Sequence, residues 1–344
     1  PLFVVDDLYV RVLQAVGLPV SEATLPLPLA VLGTLNCLLV FLIATRVVRA
    51  GTVRSSAAPA DSDHKPTGGI GDCPHFAALL AAALLAVMPL TVGRSRSIGG
   101  AEACSGFLFL LAVLQIMRYF ERPDDRRRQW LAGLCVGLYL CGDVQFLVGG
   151  AVLLALVALW PVRDGGGSRS VTAPTHDGWR ERLGLLWRVR VLLPPLVLFA
   201  PYVPTWFYAI RLGYRDQTYL GTVFAEHKAD WGFHLVPFGQ DLARNMGIFP
   251  LLALPVALWY FARHWRRPQQ WLAAWIGLTA FPFLVAVTSK VTEASGYHEH
   301  LVAALAIALG ASLAALSSSP SEGLAISRPA GAPEPTAGRL IAGP

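Results

Sequence analysis

The sequence predicts an all-α protein: a polytopic bundle of about nine transmembrane helices, with further helices lying in the extracytoplasmic interface. Three observations carry that prediction. Hydrophobic residues make up 54% of the chain and charged residues 15%, with a mean hydropathy of +0.51, a balance typical of membrane proteins and not of soluble domains. The apolar residues gather into runs long enough to cross a bilayer, and helices are one of the two backbone arrangements that satisfy every peptide group in hydrocarbon. The charges collect between the runs, where water or headgroups receive them.

Residues 1–17 are apolar but carry Asp6, Asp7 and Arg11, so they read as a helix at the membrane edge. Leu25–Ile43 is a near-continuous apolar span with Pro26 and Pro28 in its first turn, where a missing backbone donor costs least. Arg46 and Arg49 close it, and a Gly/Ser/Ala/Pro/Asp-rich surface loop runs on to Cys73. Phe76–Val92 and Gly100–Met117 are two further spans, separated by the turn Gly93-Arg-Ser-Arg-Ser97. After the charged loop Arg118–Arg128, the stretch Trp130–Trp160 holds two short helices, with Gly142-Asp143 as the break and Asp143 at the hairpin tip.

A second Arg-rich loop leads to Val191–Ile210, where Pro194, Pro195, Pro201 and Pro204 predict a kinked span. Such breaks are tolerated where neighbours or water receive the freed carbonyls, as along a cavity. Residues 211–246 interleave charges with aromatics and read as one or two amphipathic helices in the interface. Ile248–Phe261, Trp271–Val287 and Leu301–Leu316 complete a transmembrane domain over residues 1–316. Residues 317–344 are too poor in apolar side chains to fold and read as a disordered cytoplasmic tail.

Alternating the spans places 20 of the 28 lysines and arginines on one face and eight on the other. The basic face is therefore the cytoplasmic one, in a multi-pass protein of the plasma (inner) membrane. The excess of positive charge follows from membrane topology, so no nucleic acid partner is needed to explain it. Cys37, Cys73, Cys104, Cys135 and Cys141 show no metal-type pair spacing and read as small packing residues.

The same topology places Arg94, Arg96, Asp143, Glu226, His227, His234, Lys290, Glu293, His298, Glu299 and His300 on the extracytoplasmic face. Five of these crowd into the polar island Thr288–His300 between two spans, and ionisable groups at the mouth of apolar helices are candidates for function. His298 and His300 flank Glu299 at i, i+2. That spacing aligns two imidazoles in an extended segment but splays them on a helix, unlike the i, i+4 pair of a helical zinc site. Hydrogen bonding to water, headgroups or loop carbonyls is the alternative, and the residues leave open whether a divalent metal serves as cofactor.

Three stretches carry a resemblance. Pro1-Leu2-Phe3 with Ser21-Glu22-Ala-Thr-Leu-Pro-Leu-Pro-Leu-Ala30, the turn Met88-Pro-Leu-Thr-Val-Gly-Arg-Ser-Arg-Ser97, and Gly296-Tyr-His-Glu-His300 resemble, in order and topology, passages of the C-type (GT-C) polyprenyl-phosphate-sugar-dependent glycosyltransferases. That superfamily includes protein O-mannosyltransferases and lipid A aminoarabinose transferases. The resemblance implies transfer of a sugar from a polyprenyl-phosphate-linked donor to an extracytoplasmic acceptor.

It also implies that the catalytic base belongs to a loop upstream of Pro1, after a first span. Asp6 and Asp7, the nearest acidic pair, are the candidates for that base within this sequence, although they lie downstream of the matching passage. The Arg94-Ser-Arg96 turn lacks the acidic residue of the family's turn, though its arginines still suit a phosphate. Arg94, Arg96 and Lys290 are the candidates for the donor phosphate. Asp143, Glu226, His227, Glu293, His298, Glu299 and His300 are the candidates for acceptor or accessory roles. A transporter or flippase, and an oligosaccharide polymerase or ligase of the cell envelope, are the competing readings. A transporter predicts ionisable groups near mid-membrane, whereas most charges here sit at span ends.

Overall fold

The computed structural model describes residues 2–17, 19, 21, 26–52, 74–89, 91–92, 101–142, 146–161, 178–201, 203–204, 230–231, 235–263, 265–287 and 299–318. In chain order the helices are α1 (Leu2–Ala15), α2 (Leu27–Thr52), α3 (Pro74–Val87), α4 (Ala101–Glu121), α5 (Arg126–Gly142), α6 (Phe146–Leu159), α7 (Gly178–Leu186) and α8 (Val189–Phe199). There follow α9 (Leu235–Met246), α10 (Ile248–Leu252), α11 (Leu254–Arg263), α12 (Arg267–Val285) and α13 (Glu299–Ser318). Two short strands, β1 (Asp230–Trp231) and β2 (Ala286–Val287), pair antiparallel with Asp230 opposite Val287. The chain is an all-α membrane-type bundle, as its composition predicts.

Most boundaries follow local chemistry. The break between α5 and α6 falls where Gly142 and Asp143 predict it. Asp125 caps α5, its Oδ1 accepting the Arg127 amide at 2.9 Å. Prolines move other ends inward. α3 stops at Val87, before Pro89, and α8 stops at Phe199, before Pro201, while Pro194 and Pro195 stay inside it. The Ile248–Phe261 run divides at Ala253, ahead of Pro255, into α10 and α11. α2, by contrast, runs past Ile43 to Thr52, because Arg46 and Arg49 find partners within the protein.

Three helices have the length and apolarity of full bilayer crossings: Leu27–Ala50, Cys104–Glu121 and His300–Ser317. The other passes are shorter. α3 has 14 residues, about 21 Å at the helical rise, against a hydrocarbon core of roughly 30 Å. Short passes are admissible where neighbouring protein covers their ends.

α13 is the centre of the bundle, with 78% of its span buried. It lies against α3 so closely that a Cβ on Gly310 would sit 2.6 Å from the Ala81 nitrogen and 2.7 Å from the Ala77 carbonyl. Between helices in lipid, small residues supply the van der Waals contact that holds them together. α5 meets α8 the same way, through Gly137 against Pro195. The outer faces of α2, α3, α5 and α8 expose Leu38, Leu79, Leu134, Leu138, Leu193 and Leu196, the surface expected to face acyl chains.

Arginines gather at one end and tie the helices there. Arg46 on α2 pairs with Glu121 on α4 at 3.0 Å, and Arg128 on α5 reaches the same carboxylate at 3.4 Å. Arg49 meets His75 of α3 at 2.8 Å. Arg188, before α8, donates to the Pro123 carbonyl and pairs with Asp124 at 3.3 Å. Arg128 donates to the Arg118 carbonyl and Arg182 to that of Ala158. Both carbonyls lie in the last turn of a helix, where acceptors are unmet and the dipole favours a cation. The C-terminal ends of α2, α4 and α6 and the N-terminal ends of α3, α5 and α8 are thus together, which is the alternation the charge pattern predicts.

Candidate functional site at the end opposite the arginines

The opposite end holds the described flanks of all three segments singled out in the sequence. α3 ends there, and Pro89 lies beneath Gly247, 3.7 Å from where a Cβ on that glycine would be. Gly247 adopts φ +81, a conformation that suits glycine, between α9 and α10. The β1–β2 pair joins the polar excursion to the end of α12, directly before the Thr288–His300 island. The approaches to the Arg94–Arg96 turn, to α9 and to the Lys290 island therefore share one end of the bundle.

Arg94, Arg96, Asp143, Glu226, His227, Lys290, Glu293 and His298 themselves lie outside the described residues. Asp6 and Asp7 fall on α1, away from any loop between spans. Glu299 is the first residue of α13.

The structure packs His300 into the interior. It is 2% exposed, and its ring centroid lies 4.2 Å from that of Phe109 and 5.8 Å from that of Tyr139. Phe109 also meets Tyr139 and Trp275, each at 5.3 Å, and Trp275 continues to Trp271 at 5.2 Å. Tilted and edge-on contacts of this kind suit the ring quadrupoles. Room for the Tyr139 hydroxyl comes from Gly149 of α6, where any Cβ would overlap it. Since α13 begins at Glu299, the 299–300 pair is helical. His300 thus anchors the first turn of α13 in an aromatic core beneath the island.

α9 carries the polar groups that the sequence did not single out. It is amphipathic, as the interfacial reading predicts, and its buried residues Asp241, Leu242, Asn245 and Met246 recur at one helical face. Leu242 and Met246 join the hydrophobic core, so Asp241, 8% exposed, and Asn245, 4% exposed, are drawn in beside them. Burial raises the carboxyl pKa of Asp241, and Arg244, 3.9 Å away and largely exposed, opposes that rise. An inward acidic residue on an otherwise apolar helical face, four residues ahead of an Asn, is the signal that could have found it. Among the described residues no three His, Cys, Asp or Glu side chains come together as a metal site.

No model of a known protein family matches the chain, and no curated protein does. Solved structures do. One is the apo crystal structure of ArnT from Cupriavidus metallidurans, at 17% identity and a TM-score of 0.50, covering 83% of this chain and 45% of that one. Another is the archaeal oligosaccharyltransferase AglB from Archaeoglobus fulgidus, in complex with an inhibitory peptide and a dolichol-phosphate, at 15% identity and a TM-score of 0.41, covering 84% and 39%. The chain thus spans less than half the length of these proteins. At such identities what is shared is the backbone arrangement alone, and the helical bundle described above has the arrangement seen in ArnT.

Proposed function

We propose that this chain is the transmembrane part of a membrane glycosyltransferase that moves a sugar from a polyprenyl-phosphate donor to an extracytoplasmic acceptor. The observation that carries the reading is the arrangement of the bundle over 83% of the chain, shared with ArnT at a TM-score of 0.50. The convergence of the α3 end, α9 and the end of α12 on one side supports it. AglB, whose structure holds a dolichol-phosphate, illustrates the class of lipid-linked donor.

In the proposed reaction an acceptor hydroxyl attacks the anomeric carbon, the bond from that carbon to the phosphate oxygen breaks, and the polyprenyl phosphate leaves with the electron pair. A carboxylate takes the acceptor proton, and cations stabilise the phosphate. We assign the cationic role to Arg94, Arg96 and Lys290. We assign the ordering of the acceptor to Asp143, Glu226 and Glu293. The arginine-rich end is cytoplasmic and the site opens on the other face of the inner membrane.

The test is transfer from a radiolabelled polyprenyl-phosphate sugar by the full-length protein in liposomes. Arg94→Ala or Lys290→Ala removes charge-assisted hydrogen bonds of about 1.5–3 kcal/mol each, so donor use is expected to fall roughly ten- to a hundredfold at unchanged expression. Wild-type rates in both variants would overturn the assignment of the phosphate site. Absence of transfer from any lipid-linked sugar would overturn the function.

A further inference from the structure

Two polar side chains on α9 are folded inward without the partners that burial ordinarily demands. Asp241 and Asn245 are each more than nine-tenths buried. They stand four residues apart on one helix, which sets their Cβ atoms roughly 5–6 Å apart on one face. Leu242 and Met246, each one position further along, make a parallel apolar stripe that joins the hydrophobic core. That stripe is enough to hold α9 down. The polar stripe adds nothing to it, since a polar group taken out of water is a cost unless it is hydrogen-bonded, and leucines of similar shape would bury as readily.

Among the described residues neither side chain has a hydrogen-bond partner. The Arg244 guanidinium lies 3.9 Å from Asp241 Oδ1, beyond hydrogen-bond length, and is itself 73% exposed. Buried polar groups are seldom left unmet. The Asp241 side chain also keeps 11% of its surface accessible, so the stripe is within reach of a molecule arriving from outside. Two unmet groups, adjacent and reachable, suit a ligand that brings its own donors and acceptors.

Their place and chemistry identify that ligand. α9 packs against α12, and Gly247 at its end sits over Pro89, five residues before Arg94 in sequence. The stripe therefore borders the end of the bundle proposed for sugar transfer, near the turn assigned to the donor phosphate. A carboxylate repels a phosphate, so Asp241 has no place in the phosphate cradle itself. Its oxygens accept hydrogen bonds, and the Asn245 amide both donates and accepts. Sugar hydroxyls, each a donor and an acceptor, match that combination.

We propose that Asp241 and Asn245 bind hydroxyl groups of the sugar ring carried by the polyprenyl-phosphate donor. The assignment deepens the glycosyl-transfer reading and rests on it. Recognition of the sugar is thereby separate from recognition of the lipid phosphate.

The experiment measures equilibrium binding to the full-length protein in lipid nanodiscs, so it does not depend on transfer. The probes are polyprenyl phosphate, bare or carrying glucose, mannose or arabinose. Wild type is expected to bind at least one of the three glycosylated lipids at least tenfold more tightly than the bare one. Asp241→Leu and Asn245→Leu are each expected to reduce that preference to less than threefold, with affinity for the bare lipid unchanged and no loss of unfolding temperature. Gln240→Ala, at an exposed position of the same helix, is expected to leave the preference intact. Should a leucine variant fail to fold, Asp241→Asn or Asn245→Ser is read in its place, with a several-fold loss of preference expected. Wild-type preference in the folded variants, an equal loss of bare and glycosylated lipid, or a wild type that binds all four lipids alike would overturn the proposal and leave the function standing. A wild type that binds none of the four would overturn the glycosyl-transfer reading and this assignment with it.

Discussion

Arg46 and Glu121 lie 75 residues apart in sequence and 3.0 Å apart in space, joining the C-terminal parts of two helices that run in the same direction. Arg128 approaches the other oxygen of the same carboxylate, so one acid serves two cations from two helices. Both arginines and the glutamate keep part of their surface in water, which screens the attraction.

Glu121→Gln should therefore lower stability modestly, by about 1 kcal/mol or less for each ion pair lost, and the loss should shrink with added salt. Thermal unfolding of the purified protein at low and high ionic strength checks both parts. An effect indifferent to salt would assign the role of Glu121 to packing.

Gly310→Ala places a methyl group against the α3 backbone, 2.6 Å from the Ala81 nitrogen. With no side chain there to give way, the helices must separate, at a cost of about 1–3 kcal/mol. Gly277→Ala on α12 meets nothing within 4 Å and should be neutral or slightly stabilising. Unfolding temperatures of the two variants are expected to move apart.

Asp241 predicts a pH dependence. A carboxyl group whose pKa is raised in the folded protein binds its proton more tightly folded than unfolded. Its stability contribution is thus complete below the ordinary carboxylate range and is lost as pH rises through the raised value. Asp241→Asn removes that loss. The variant should unfold at a higher temperature than wild type at neutral pH, and the two should converge in acid, near pH 4 and below. Parallel curves across the pH range would exclude a raised Asp241 pKa.

The two ends of the bundle should be reachable from opposite compartments. Cysteines at Arg126, exposed at the arginine end, and at Gly239, exposed on α9, introduced into a cysteine-free background, should label from different sides of intact cells. Labelling of both from one side would overturn the alternation of the spans.

Much of this fold was legible in the sequence because lipid punishes exceptions. The Gly142-Asp143 break and the separation of arginines from apolar runs follow from local costs that one segment shows by itself. Pro194 and Pro195 are less legible locally: the helix carries both as far as Phe199, where α5 offers Gly133 and Gly137 as a groove for the α8 backbone.

His300 and Asp241 show the limit most clearly. In sequence His300 belongs with its polar neighbours and Asp241 is one charge among many. Their burial depends on Phe109, Tyr139 and the α9 core residues, which are remote in the chain, and no local pattern reports those partners. The candidate site was correspondingly legible as a region, through the flanks of three polar segments, while the residues drawn inward depend on packing.

The close seat of α13 on α3 also dictates an order of assembly. Ala77 and Ala81 sit in the third helix of the growing chain only as a shallow backbone groove, and the helix that fills it is synthesised after every other helix described. Until then α3 has no glycine-faced partner, and with α13 missing the interior of the bundle is open to lipid or to chaperones. Closure of the bundle therefore waits on α13, the final described helix.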